Sequence, residues 1–133
     1  MNWLAILCAA VAYWVLGYVW YSLLFGKVWA AEQARHRGER AAPSGSEMVG
    51  KMAGTFICNF LAAGAIAYFL FKPGIFDLNH ALRIGVAAGI GLAGSAITMV
   101  YIWESKPTKI WMIDVGFNFV GCLLVAAILV SWH

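Results

Sequence analysis

Charge is scarce in this chain. Of its 133 residues, 11% are Asp, Glu, Lys or Arg and 63% are apolar. Soluble domains carry about 25% charged and 45–50% apolar residues. A water-soluble fold of this composition would have too little polar surface to cover itself, so lipid is the expected solvent for much of it. The nine Lys and Arg exceed the six acids by only three. They form no basic tract interleaved with aromatics, which excludes a nucleic-acid partner. Cysteine is equally sparse. Cys8, Cys58 and Cys122 lie in three separate apolar runs. An odd number cannot all pair within one chain, and they read as packed or lipid-embedded thiols. His36, His80 and His133 are far apart and form neither HExxH nor an i,i+4 pair, so no metal site is expected. No GxSxG elbow, P-loop or dinucleotide fingerprint occurs. Glu104 with Asp114 is the only acid pair that could serve a membrane enzyme, and no histidine lies near it. The expectation is a protein that is not an enzyme and holds no cofactor.

What the chain does have is long apolar runs. Crossing the hydrocarbon core takes about 20 such residues. Four stretches reach that length: residues 3–25, 52–71, 84–103 and 110–132, only the last containing an acid, Asp114. Backbone polar groups in lipid must be paired internally, so runs of this length are helices. The ~10-residue alternation of a membrane β-barrel is missing. Met1-Asn2-Trp3 supplies no basic head for a cleaved signal, so the first run is expected to stay as a helix. The fold class is therefore an all-α membrane protein, one domain over residues 1–133, forming a bundle of four transmembrane helices. The polar stretch 26–51 starts with a short interfacial helix, Lys27 to Arg37, anchored by Trp29. Ala42-Pro43-Ser44-Gly45-Ser46 breaks it. Ser44 and Glu47 have the spacing of a capping box, and Lys72-Pro73-Gly74 is a stop signal.

Lys and Arg also set the orientation. Lys27, Arg35, Arg37, Arg40 and Lys51 lie in the first loop, and Lys106 and Lys109 lie in the third. Only Lys72 and Arg83 lie in the second. The bias puts loops one and three in the cytoplasm and both termini outside, in the periplasm of a bacterial inner membrane. Trp3, Trp20, Tyr21, Trp29, Tyr101, Trp103, Trp111 and Trp132 sit near the span ends as an aromatic belt. A weak echo links Trp20-Tyr21-Ser22…Lys27-Val28-Trp29 with Trp103-Glu104-Ser105…Lys109-Ile110-Trp111, as two parallel helix hairpins would leave.

Polar residues inside lipid are the default site candidates. Here they are Asp114, Asn118, Asn59, Thr55, Ser95 and Thr98, with Ser22 at a span end. At ~1.5 Å rise per residue, Asp114 lies roughly 7 Å and Asn118 and Asn59 roughly 12 Å inside the cytoplasmic face. Asp114 and Asn118 share one helix face. The functional reading is a cytoplasm-facing polar pocket or a proton-binding acid. The plainer reading is hydrogen bonding between helices. Gly85, Gly89, Gly91 and Ser95 on the third run have small-xxx-small spacing, and Gly54, Cys58 and Ala62 make a similar stripe on the second. Such faces let helices approach closely, within one bundle or between subunits.

Asn2-Trp3-Leu4-Ala5-Ile6-Leu7 and Gly17-Tyr18-Val19-Trp20-Tyr21-Ser22 with Phe25-Gly26-Lys27-Val28-Trp29 carry a family resemblance. So do Glu104-Ser105-Lys106-Pro107 and Ile113-Asp114-Val115-Gly116 with Gly121. Together they resemble the small bacterial membrane proteins called domain of unknown function 1761, over nearly the whole chain. The resemblance implies a four-helix inner-membrane protein and no particular activity. Three function classes follow: a non-enzymatic component that self-associates or packs in a membrane complex, a small oligomeric transporter or channel, and, last, a membrane-embedded enzyme.

Overall fold

The computed structural model describes residues 2–37, 45–71, 77–104 and 108–132. Among them 96% are helical and no strand occurs. Helix α1 (Trp3–Tyr18) continues through a π-helical turn, Val19–Leu24, and a bend at Phe25 into α2 (Gly26–Arg37). Helix α3 covers Gly45–Phe71. Helix α4 (Leu78–Val86) passes through a second π-helical stretch, Ala87–Gly94, into α5 (Ser95–Glu104). Helix α6 covers Thr108–Ser131. Among the described residues, four helical stretches are long and apolar enough to cross a membrane: Trp3–Leu24, Val49–Phe71, Leu78–Trp103 and Thr108–Ser131. The expected interfacial helix is α2. Ser44, Lys72-Pro73-Gly74 and Ser105-Lys106-Pro107 lie outside the described residues.

The third span starts at Leu78, six residues before the apolar run suggested. Asp77 is the reason. Its carboxylate accepts the backbone N–H of His80 at 3.3 Å, capping a donor that helix geometry leaves unpaired. The first turns of α4 therefore carry Asn79, His80 and Arg83 into the span. Asn2 does the same for α1, accepting from the Ala5 N–H at 3.1 Å. Its amide also donates to the Trp132 carbonyl at 3.4 Å, so the first and last spans end side by side.

The fourth span is the centre of the bundle. Some 44% of its apolar window is buried, against 22–28% for the other three. Its buried residues, from Ile110 through Phe117 and Val125 to Val130, run along its whole length. Ala5, Ile6, Ala9, Ala10 and Tyr13 of α1 form one buried stripe at i, i+4 spacing. Asn59, Ala63, Ile66, Ala67 and Leu70 form another on α3. These stripes meet α6 and Ala81 of α4 in one cluster. A second, aromatic-rich cluster gathers Tyr101, Ile110 and Ile113 with Trp20, Tyr21, Phe25, Trp29 and Trp111 at the end away from the termini. Large apolar side chains such as Leu61, Leu92 and Ile102 face outward, as lipid requires of a spanning bundle.

Glycines on the third span set how closely it approaches α6. A Cβ on Gly89 would lie 2.8 Å from the Phe119 Cα, and one on Gly85 would lie 3.1 Å from the Cys122 carbonyl oxygen. This glycine pair thus packs inside the bundle. The other small-residue stripes do not. A Cβ added to Gly54 or Gly91 would meet nothing within 4 Å, and Gly54, Cys58, Gly91 and Ser95 are exposed.

Candidate functional site

The chain's intramembrane acid is gripped by two phenols. Asp114 lies on α6, at the end of the bundle away from the termini. One carboxylate oxygen accepts the Tyr21 hydroxyl at 2.5 Å, and the other accepts the Tyr101 hydroxyl. Tyr21 belongs to the first span and Tyr101 to the third, so one carboxylate joins three spans. The π turn Val19–Leu24 makes this reach possible. Its wider turn, seen in the Phe25 N–H to Trp20 carbonyl bond at 3.0 Å, re-phases the helix. Two adjacent residues then both address α6. Trp20 donates its indole N–H to the Ile113 carbonyl at 3.0 Å, while Tyr21 reaches Asp114. The ring of Trp20 lies over Gly116, where a Cβ would come within 3.2 Å of it.

One turn deeper, the Asn118 amide donates to the Asp114 carbonyl at 2.9 Å. Its Oδ1 accepts the Tyr13 hydroxyl at 2.7 Å. Tyr13 is 3% exposed, and its ring stacks at a tilt on Phe117 with centroids 5.2 Å apart. Phe117 also packs edge-on against Tyr21 at 5.3 Å. The polar chain Tyr13–Asn118–Asp114–Tyr21/Tyr101 is therefore walled by aromatic rings. Beyond Tyr13, toward the termini, come Ala5, Ile6, Ala9, Leu70, Val125 and Leu129, all 0% exposed. That half of the bundle is an apolar plug but for the His80 Nε2, which is buried with no hydrogen-bond partner among the described residues.

The structure separates the remaining candidates. Thr98 accepts the Trp111 indole N–H at 2.9 Å and donates to the Gly94 carbonyl at 2.6 Å, so it ties α5 to α6 near Asp114. Thr55 and Ser95 do not join the cluster. Each is exposed and bonds a carbonyl one turn back on its own helix, Lys51 at 2.8 Å and Gly91 at 2.5 Å. A hydroxyl satisfied this way needs no interhelical partner and can face lipid. Asn59 is buried at 5% exposure, and its amide nitrogen has no hydrogen-bond partner among the described residues. The Glu104 side chain lies outside what the structure describes. Among the described residues no three His, Cys, Asp or Glu side chains converge as a metal site would.

The site residues that sequence reasoning missed are aromatic: Tyr13, Tyr21, Tyr101, Trp20 and Trp111. Four of the eight belt aromatics turn inward as donors. Trp3, Trp103 and Trp132 stay exposed at 63%, 87% and 41%, as membrane-interface residues do. The signal for the inward set was Asp114 itself. An acid at that depth needs donors, and tyrosines at matching depth on neighbouring spans could supply them. The echo between the WYS and WES stretches does not extend to environment, since Trp20 is packed against α6 and Trp103 is exposed.

Two of the stretches that carry the family resemblance thus meet in space, Trp20-Tyr21 on Ile113-Asp114 and Gly116. Residues 4–130 match the family described as "Protein of unknown function (DUF1761)". The chain belongs to the DUF1761 family. No curated protein and no solved structure shows a significant match to it. For this DUF1761 protein, the contact between the first and last spans is what its motif residues build.

Proposed function

We propose that this protein is a non-enzymatic, multi-pass component of the bacterial inner membrane that works by associating with further copies of itself or with other membrane proteins. One observation carries this reading. The intramembrane acid is engaged inside the bundle by Tyr21 and Tyr101, while the small residues Gly54 and Gly91 face outward with open space where a side chain would stand. Polar groups that hold spans together are structural, and outward small-residue faces are how spanning helices admit a neighbour. The seven basic residues of loops one and three support a cytoplasmic placement for them, with both termini periplasmic. Crosslinking in native membranes and mass spectrometry after mild detergent release test the reading. A defined oligomer or a co-purifying membrane protein, lost in Gly54→Leu or Gly91→Leu, is expected. A partnerless monomer would sink it.

A second reading has its own support in the buried, unpartnered Asn59 amide on α3. Trp14 of α1 donates its indole N–H to the Met52 carbonyl of α3 at 3.2 Å. Asn59 lies about two turns further along α3, roughly 10 Å at 1.5 Å per residue, and is buried there. A small oligomeric transporter with a cytoplasm-facing polar site at Asp114, Asn118 and Asn59 would use such a donor. The apolar plug opposes a continuous path through one chain. Solute flux abolished by Asp114→Asn is the result this reading requires.

A further inference from the structure

The early start of the third span leaves a cation in an unusual place. Arg83 is five residues into the Leu78–Trp103 span, roughly 7 Å along the helix from its first residue. It is exposed on the bundle surface, and no hydrogen bond or ion pair engages its guanidinium among the described residues. A charge at that depth is costly in lipid unless it reaches the interface or meets an opposite charge. Asn79, one turn earlier, lies on the same helix face. Beneath them Leu82, Val86 and Ala87 complete a shallow groove, open to the bundle surface along this one span. The groove is polar at its mouth and apolar along its length, toward the bilayer centre.

We propose that this groove is a binding site for one anionic phospholipid of the leaflet on the side of the termini. The guanidinium of Arg83 pairs with the headgroup phosphate, a planar fork suited to phosphate oxygens. The Asn79 amide donates to the same phosphate or to the glycerol. One acyl chain lies along Leu82, Val86 and Ala87. Charge complementarity selects the occupant. A phosphatidylglycerol-type headgroup carries no cation of its own, so its phosphate is free to match the single arginine. A phosphatidylcholine phosphate already has an ammonium beside it. The site is independent of the Asp114 cluster, which lies at the other end of the bundle.

The test uses the full chain in nanodiscs containing a phosphatidylglycerol or a phosphatidylcholine with matched, photoreactive acyl chains. Crosslinks are mapped by peptide mass spectrometry. The expected result is labelling by phosphatidylglycerol concentrated on Leu82–Ala87, at least five-fold above the phosphatidylcholine analogue. Arg83→Gln removes that excess and Asn79→Ala lowers it, while labelling elsewhere on the surface is unchanged. Because Arg83 has no protein partner among the described residues, Arg83→Gln should keep the wild-type unfolding temperature, which shows that the loss is local. The proposal is overturned if the two lipids label this face equally, or if Arg83→Gln leaves the excess in place.

Discussion

Tyr13 and Asn118 are 105 residues apart and share a 2.7 Å hydrogen bond in the middle of the bundle. The ring of Tyr13 occupies the space that a side chain on Gly121 would take. A Cβ there would lie 2.0 Å from the ring. One residue type without a side chain and one with a ring and a hydroxyl therefore fix the same crossing of the first and last spans.

Gly121→Ala is accordingly expected to destabilise the bundle more than an ordinary glycine substitution. Tyr13 is fully packed and cannot swing away without breaking its bond to Asn118. Overpacking a dense core costs about 1–3 kcal/mol, sometimes more, and the lost hydrogen bond adds to it. Equilibrium unfolding in mixed detergent micelles measures the difference. Tyr13→Phe in the Gly121→Ala background should cost less than in the wild-type chain, because the bond is already broken there. Full additivity of the two would show that the ring and the glycine are not coupled.

The glycines of the third span divide by face. Gly89→Ala places a methyl group 2.8 Å from the backbone of α6. Backbone cannot give way as a flexible side chain can, so the two spans must separate, at about 1–3 kcal/mol. Gly91→Ala meets nothing within 4 Å and is expected to leave monomer stability unchanged within about 0.5 kcal/mol. Equal losses at the two positions in a monomeric preparation would contradict this assignment of faces.

Span number and helical character were legible because apolar length is a strong constraint in lipid. The lipid-facing or buried status of each helix face was not. Thr55 and Ser95 have the polarity of pocket residues, yet a hydroxyl can bond its own helix and face outward. Trp20, Tyr21, Tyr101 and Trp111 have sequence positions near span ends that suit a belt and a core equally. The π turn at Val19–Leu24 decides between these for Trp20 and Tyr21, and no residue pattern announces a change in helical phase. Asp114 and Asn118 were legible as a pair from their i,i+4 spacing. Their partners on other spans required tertiary structure.

The three thiols should separate by reactivity. Cys8 and Cys58 are exposed on the bundle surface and Cys122 is buried at 4% exposure. Access decides the outcome, because a charged reagent stays out of lipid and a packed side chain is out of reach of any reagent. In intact membranes a charged maleimide should label none of the three appreciably. In mild detergent an apolar maleimide should reach Cys8 and Cys58, while Cys122 reacts only after unfolding. Labelling of Cys122 at the rate of Cys8 would mean that α6 is not the central helix.

The two phenols on Asp114 should behave as one unit. Tyr21→Phe or Tyr101→Phe alone leaves the carboxylate one donor, and each single loss is expected near the upper end of interhelical bonds in membranes, about 1–2 kcal/mol. Removing both leaves a carboxylate inside the span without either donor, so the double variant should lose more than the sum of the singles. Asp114→Asn keeps one acceptor oxygen and offers an N–H₂ to the other phenol, whose oxygen can accept. It should therefore be milder than Asp114→Ala, which leaves both phenols without this acceptor. A double-mutant cycle by reversible unfolding supplies the coupling. A coupling of zero between Tyr21 and Tyr101 would mean that the acid does not join the first and third spans, and that α6 holds them separately.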